Sequence, residues 1–141
     1  MTTRSFFDTN IFVYADDKAA PAKQRRAIEL VAEHRRARTG VVSLQVLQEY
    51  FVTVTRKLDL DPRVARRKVE LIAEFDVASP DVTDVLAAID LHRLHGISFW
   101  DALVLRAAKQ AGCSILLSED MQGSREFDGV RVVNPFSTAA V

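Results

Sequence analysis

The sequence predicts an α/β domain with a largely parallel central sheet and helices on both faces. Two observations predict it. Short apolar, strand-like runs alternate with longer segments of helical period along the whole chain. Serine, aspartate and proline signals for helix starts follow several of those runs, and glycines follow several of the helices.

Arg4-Ser5-Phe6-Phe7-Asp8 reads as a short buried strand, and Asp8-Thr9-Asn10 opens a helical turn through Tyr14. Pro21 suits the first turn of a second helix, which runs to about Arg38 with Ala27, Ile28, Leu30 and Val31 inward and Gly40 ending it. Val41-Val42 is a second strand. Ser43 caps the next helix, whose stripe is Leu44, Leu47, Phe51, Val54 and Leu58. Asp61-Pro62 is a cap and first-turn pair for a helix to about Glu74, with Ala65, Val69 and Ile72 inward. Phe75 to Ala78 is the third strand. Ser79-Pro80 starts a helix with Val82, Val85, Leu86 and Ile89 as its buried stripe, and Gly96 stops it. Ser98 caps a helix that turns Trp100, Leu103, Val104, Ala107 and Ala108 toward the core, and Gly112 ends it. Ser114 to Leu117 and Val130 to Val133 complete the strands. One domain over 1–136 is expected, followed by a loose tail at 137–141.

Composition excludes several classes. At 141 residues, 48% of them hydrophobic, the chain has enough core to fold without a structural metal or disulfide. The apolar fraction and zero net charge exclude intrinsic disorder. No apolar run exceeds five residues, which is too short for a membrane span. A single cysteine, Cys113, fits a reducing, cytoplasmic setting and reads as an inert core thiol. The zero net charge conceals a basic segment: residues 21–68 carry twelve Lys/Arg against five Asp/Glu, a net of +7. Such a segment is either the solvated side of amphipathic helices or a local surface for a polyanion.

Ligands of parallel sheets collect outside the carboxyl ends of the strands. Asp8 ends the first strand, and Ser118, Glu119 and Asp120 follow the Ser114–Leu117 strand. Asp101 falls in the first turn of a helix and Glu49 near the middle of another. Gathered at one edge, these carboxylates would raise one another's pKa, and Mg²⁺ or Mn²⁺ is the cation that such hard oxygen donors favour. Each acid also has a structural reading: Asp8 as a helix cap, Asp101 as partner of Ser98 in a capping box, Asp120 as a turn residue. On periodicity alone Glu49 lies opposite its helix's stripe and is a surface glutamate, although Val46, Tyr50 and Val52 make that helix apolar well beyond one face. His92 and His95 lie on a mostly polar face and read as solvated. Neither a glycine-rich phosphate loop nor a serine-hydrolase arrangement is present, and a receiver-like signalling site lacks its lysine partner.

Taken together, Phe7-Asp8-Thr9-Asn10, Val42-Ser43 with Glu49, Trp100-Asp101, Leu117-Ser118-Glu119-Asp120-Met121-Gln122 and Asn134-Pro135-Phe136 resemble the PIN-domain nucleases, most closely the VapC-like toxins of toxin–antitoxin pairs. The resemblance covers residues 5–136. It implies a three-layer α/β/α fold and an Mg²⁺- or Mn²⁺-dependent endoribonuclease whose metal site is Asp8, Glu49, Asp101 and Asp120, with Asn10 and Ser118 orienting those ligands. It implies hydrolysis to a 5′-phosphate and a 3′-hydroxyl. It also implies a cognate antitoxin and a second copy of the chain as partners. Arg25, Arg26, Arg63, Arg66 and Arg67 are the candidate carriers of the RNA backbone. A housekeeping nuclease of RNA processing and a non-catalytic interaction module are the competing readings.

Overall fold

A computed structural model describes residues 3–121 and 125–137. Gln122 and residues 138–141, which hold part of the last acidic motif and almost all of the expected tail, lie outside the described residues. The chain order is β1 (Ser5–Phe7), α1 (Thr9–Ala15), α2 (Pro21–Ala37), β2 (Gly40–Ser43), α3 (Leu44–Lys57), α4 (Pro62–Ile72), β3 (Asp76–Ala78), α5 (Val82–His95), α6 (Phe99–Gln110), β4 (Ile115–Leu117), β5 (Glu126–Phe127) and β6 (Val130–Val133).

The sheet order is β3-β2-β1-β4-β6-β5, parallel throughout except for the antiparallel β5–β6 pair at one edge. The chain winds outward from β1 to β2 and β3, then returns to place β4 on the other side of β1. Because parallel crossovers are right-handed, this reversal sends α1–α4 to one face and α5–α6 to the other. The helix packing agrees: α1 packs on α2 and α3, α3 on α4, and α5 on α6. The three layers enclose a core of Phe6, Phe7, Ile11, Val41, Val42, Val46, Tyr50, Val54, Leu105, Leu116 and Val132. Among the described residues no helix is long and apolar enough to cross a membrane.

Several local expectations are corrected. Gly40 does not end α2. The helix closes on Arg38, which adopts a left-handed conformation, and Gly40 is the first residue of β2. A Cβ there would lie 2.4 Å from the Phe75 ring, so glycine is required by close packing. The helix after β3 is capped by Asp81 in a reciprocal box with Asp84, not started by Ser79-Pro80. Its expected stripe is turned outward: Val82 is 74% exposed, and Val85, Leu86 and Ile89 are exposed as well. Asp84 and Ala88 face inward instead. Arg106 of α6 draws the Asp84 carboxylate inward (2.8 Å), and a small residue at 88 lets the helices approach. Trp100 is 62% exposed, not core, while Ala102 and Leu105 join Val104, Ala107 and Ala108 inside. Ile28, Leu44 and Phe51 are also exposed. The short strand β5 was not anticipated. Cys113 is buried, and burial pushes its thiol up to about 11.

Candidate active site

The outward and returning halves of the sheet part between β1 and β4, and a topological switch of this kind leaves a crevice at the strand ends. The chain continues the parallel ladder one residue beyond each strand. Asp8 donates its N–H to the Leu117 carbonyl (3.0 Å), and Ser118 donates its own to Val133 (3.0 Å). Both side chains are buried there, and the Ser118 hydroxyl donates to Asp8 Oδ2 (2.7 Å). The other Asp8 oxygen caps α1 by accepting the Thr9 N–H (2.8 Å). The capping role and the site role therefore coexist on one carboxylate.

Glu49 is half-buried and accepts a hydrogen bond from the Thr9 hydroxyl (2.8 Å). Periodicity misplaces it because the buried face of α3 is Val46, Tyr50 and Val54, rotated from the Leu44–Phe51 stripe. Tyr50 is fixed inward by donating to Asp16 (2.5 Å), and that sets Glu49 beside α1. Asp101 occupies the first turn of α6, where its N–H donates to the Ser98 hydroxyl (3.1 Å). Asn10 joins the two ends of the chain. Its Nδ2 donates to Asp120 Oδ2 (3.0 Å), and its Oδ1 accepts the Glu119 N–H (3.4 Å).

Glu119 turns away from the acids. It accepts from the Tyr14 hydroxyl (2.6 Å) and from Lys23 Nζ (2.5 Å), and Lys23 also stands 4.8 Å from the Tyr14 ring centre. Burial pushes its carboxyl upward, but the Lys23 and Tyr14 bonds outweigh that and hold it below the ordinary range. Asp120 is therefore the residue of this pair offered to the site.

Asp8, Glu49, Asp101 and Asp120 all line one cavity of about 900 Å³. Burial, with smaller contributions from the charges of Glu49 and Asp120, pushes the Asp8 carboxyl up to about 6 against the lowering bonds from Ser118 and Thr9. Burial also raises Asp101, and Asp120 and Glu49 add to the rise. Burial is the larger cause at both residues, and like-charge repulsion from the neighbouring acids adds to it. Among the described residues no three Asp, Glu, His or Cys side chains are grouped closely enough to hold a metal ion as they stand. Asp17 and the Lys23-paired Glu119 line the cavity as well, and the carboxylates of Asp8, Glu49, Asp101 and Asp120 are donors of the kind that a hard divalent cation takes.

The expected arginines are placed elsewhere. Arg25, Arg26, Arg63, Arg66 and Arg67 are exposed on α2 and α4, and none lines the acidic cavity. Arg63 and Arg66 border a neighbouring apolar groove, and Arg66 and Arg67 pair with Glu70 (3.3 and 3.8 Å). Thr9, Tyr14, Lys23 and Gln45 were not singled out from the sequence. Thr9 had a signal, since it lies inside the first acidic motif, whereas the long-range partners of Lys23 leave none.

The PIN-domain family profile matches residues 5–127. The chain belongs to the PIN-domain family. No curated protein sequence matches it. Among solved structures, this PIN domain resembles Mycobacterium tuberculosis VapC20, a Sarcin-Ricin loop cleaving toxin, with a TM-score of 0.67 and 21% identity over 82% of this chain and 91% of that one. It also resembles a toxin–antitoxin complex from Klebsiella pneumoniae, with a TM-score of 0.69 and 17% identity over 93% and 97% of the two chains. DNA-bound VapBC from Salmonella typhimurium gives a TM-score of 0.66 and 14% identity over the same shares. At these identities the likeness is one of fold.

Proposed function

We propose that this PIN domain is a divalent-cation-dependent endoribonuclease and the toxin of a toxin–antitoxin pair. The observation that carries the reading is the convergence of Asp8, Glu49, Asp101 and Asp120, from four separate parts of the chain, on one cavity at the sheet's switch point. The similar solved structures support the toxin part, since they include a toxin and two toxin–antitoxin complexes.

In this reading the four carboxylates hold Mg²⁺ or Mn²⁺. Such a cation lowers the pKa of water and offsets charge on the scissile phosphate. The remaining work belongs to the chain. Ser118 and the Thr9 N–H fix the two oxygens of Asp8, the Thr9 hydroxyl fixes Glu49, and Asn10 fixes Asp120. These bonds hold flexible side chains in one orientation, as the outer partners of ligands do in cation sites. The Lys23–Glu119 pair neutralises a further carboxylate on the cavity wall. The proposed antitoxin blocks the site with an arginine, whose charge competes with the cation for the same oxygens. A second copy of the chain is the other proposed partner.

Brief induction of the wild type, with end-mapping of cellular RNA, tests this. Cleavage leaving 5′-phosphates and growth arrest relieved by the co-expressed antitoxin are expected, with Asp8→Ala and Asp101→Asn folded but silent. Full cleavage by Asp101→Asn would remove that residue from the site.

A further inference from the structure

A cavity lined by six carboxylates, of which Glu119 is paired with Lys23, repels an RNA strand, so the strand needs an anchor close by. The expected arginines lie outside the cavity, but its far end carries a cation. Glu49, Thr53 and Lys57 descend α3 in steps of four residues, the spacing that puts side chains on one side of a helix, and all three line the cavity. Lys57 is the one basic side chain among the described residues that line it. It is exposed and, among the described residues, has no carboxylate partner, whereas Arg63 is ion-paired with the α4 cap Asp61, and Arg66 and Arg67 with Glu70 of their own helix. The eight-residue interval from Glu49 to Lys57 spans about 12 Å of helix. That exceeds the screening length of about 8 Å at physiological salt. The acidic end therefore leaves the lysine's charge available.

We propose that Lys57 is a phosphate-binding residue that holds a backbone phosphate flanking the scissile one, with Gln48 and Thr53 lining the path between. The proposal rests on the nuclease reading and deepens it by giving the strand a direction: it lies along α3, from the carboxylates toward the helix C-terminus. Lysine suits this task as a compact point charge with three rotatable donors, which binds a phosphate without demanding a particular base. Its position in the last turn of α3 also favours the helix dipole. That structural role would change melting temperature but not the salt dependence of RNA binding.

The test uses an RNA that the wild type cuts. Lys57→Gln and Lys57→Arg are compared with the wild type in Mn²⁺ for KM and kcat. Binding is measured by fluorescence anisotropy across a KCl series in the Asp101→Asn background. Lys57→Gln is expected to raise KM several-fold with kcat nearly unchanged. The slope of log affinity against log salt should fall by about 0.7, the loss of one phosphate contact on a single strand. Lys57→Arg should restore both. Shortening the RNA from one end past the flanking phosphate should abolish the difference between wild type and Lys57→Gln. Equal KM and equal slopes, in a protein that binds and cuts, overturn the lysine's role and leave the nuclease reading standing. A wild type that neither binds nor cuts RNA overturns both.

Discussion

Asp8 concentrates the chemistry of the molecule in one side chain. It is buried, caps α1, accepts from Ser118 and senses two other carboxylates, and its pKa lies at about 6. An acid whose folded pKa exceeds its unfolded value destabilises the fold when ionised. The cost is fully present above pH 6 and disappears below 3.8, the ordinary value of an aspartate. The rise from 3.8 to about 6 corresponds to about 3 kcal/mol. Asp8→Asn keeps both local hydrogen bonds, since its amide accepts from Thr9 and donates to Ser118. In EDTA its melting temperature is therefore expected to exceed that of the wild type at pH 8, and the advantage should vanish near pH 4. Thermal melts at the two pH values check this. An equal gain at both would show that the charge of Asp8 is not what strains the fold.

At the scale of elements, close approach matters more than hydrophobicity alone. Gly40 opens β2 directly beneath the Phe75 ring, and Phe75 in turn meets Phe7 and Phe12 edge-on at 5.2 and 5.9 Å. Gly40→Ala forces this aromatic cluster apart, and overpacking of this kind costs about 1–3 kcal/mol. A matching fall in urea-denaturation stability is expected, with an unchanged midpoint meaning that Phe75 has room to move. The order and type of the helices, and five of the six strands, were legible because each is announced by apolar runs and caps such as Ser43, Asp61 and Ser98. Helix facing was less so. α3 is apolar on more than one side, and its rotation is decided by Tyr50 reaching Asp16, a partner 34 residues away. α5 turns its valines and leucine outward because a buried Asp84–Arg106 pair and Ala88 claim its inner side. The four acids were legible through the resemblance of their motifs to a family, not through periodicity, which made Glu49 a surface residue, whereas the partners that orient Glu49 and restrain Glu119 arise only from the fold.

The whole molecule is neutral yet divided, with the basic excess in residues 21–68 and the acidic cavity assembled mostly outside it. A ligand that binds only the folded state stabilises it, by about 2.7 kcal/mol at a hundred times its Kd. Saturating Mn²⁺ at pH 7.5 is expected to raise the melting temperature by several degrees. The rise should shrink at pH 5, where protons compete for Asp8, and in Asp101→Asn. Scanning fluorimetry with and without Mn²⁺ measures it, and an unmoved transition would remove the cation from the cavity.

The strand order carries a consequence for synthesis. β1 is made first but is flanked by β4, whose residues pair with it from 110 positions later: Ser5 with Ile115, Phe6 with Leu116, Phe7 with Leu117. Asp8 lies open on that side until β4 emerges from the ribosome. A nascent chain that stops short of β4 therefore holds an unfinished blade, whatever the finished one cuts.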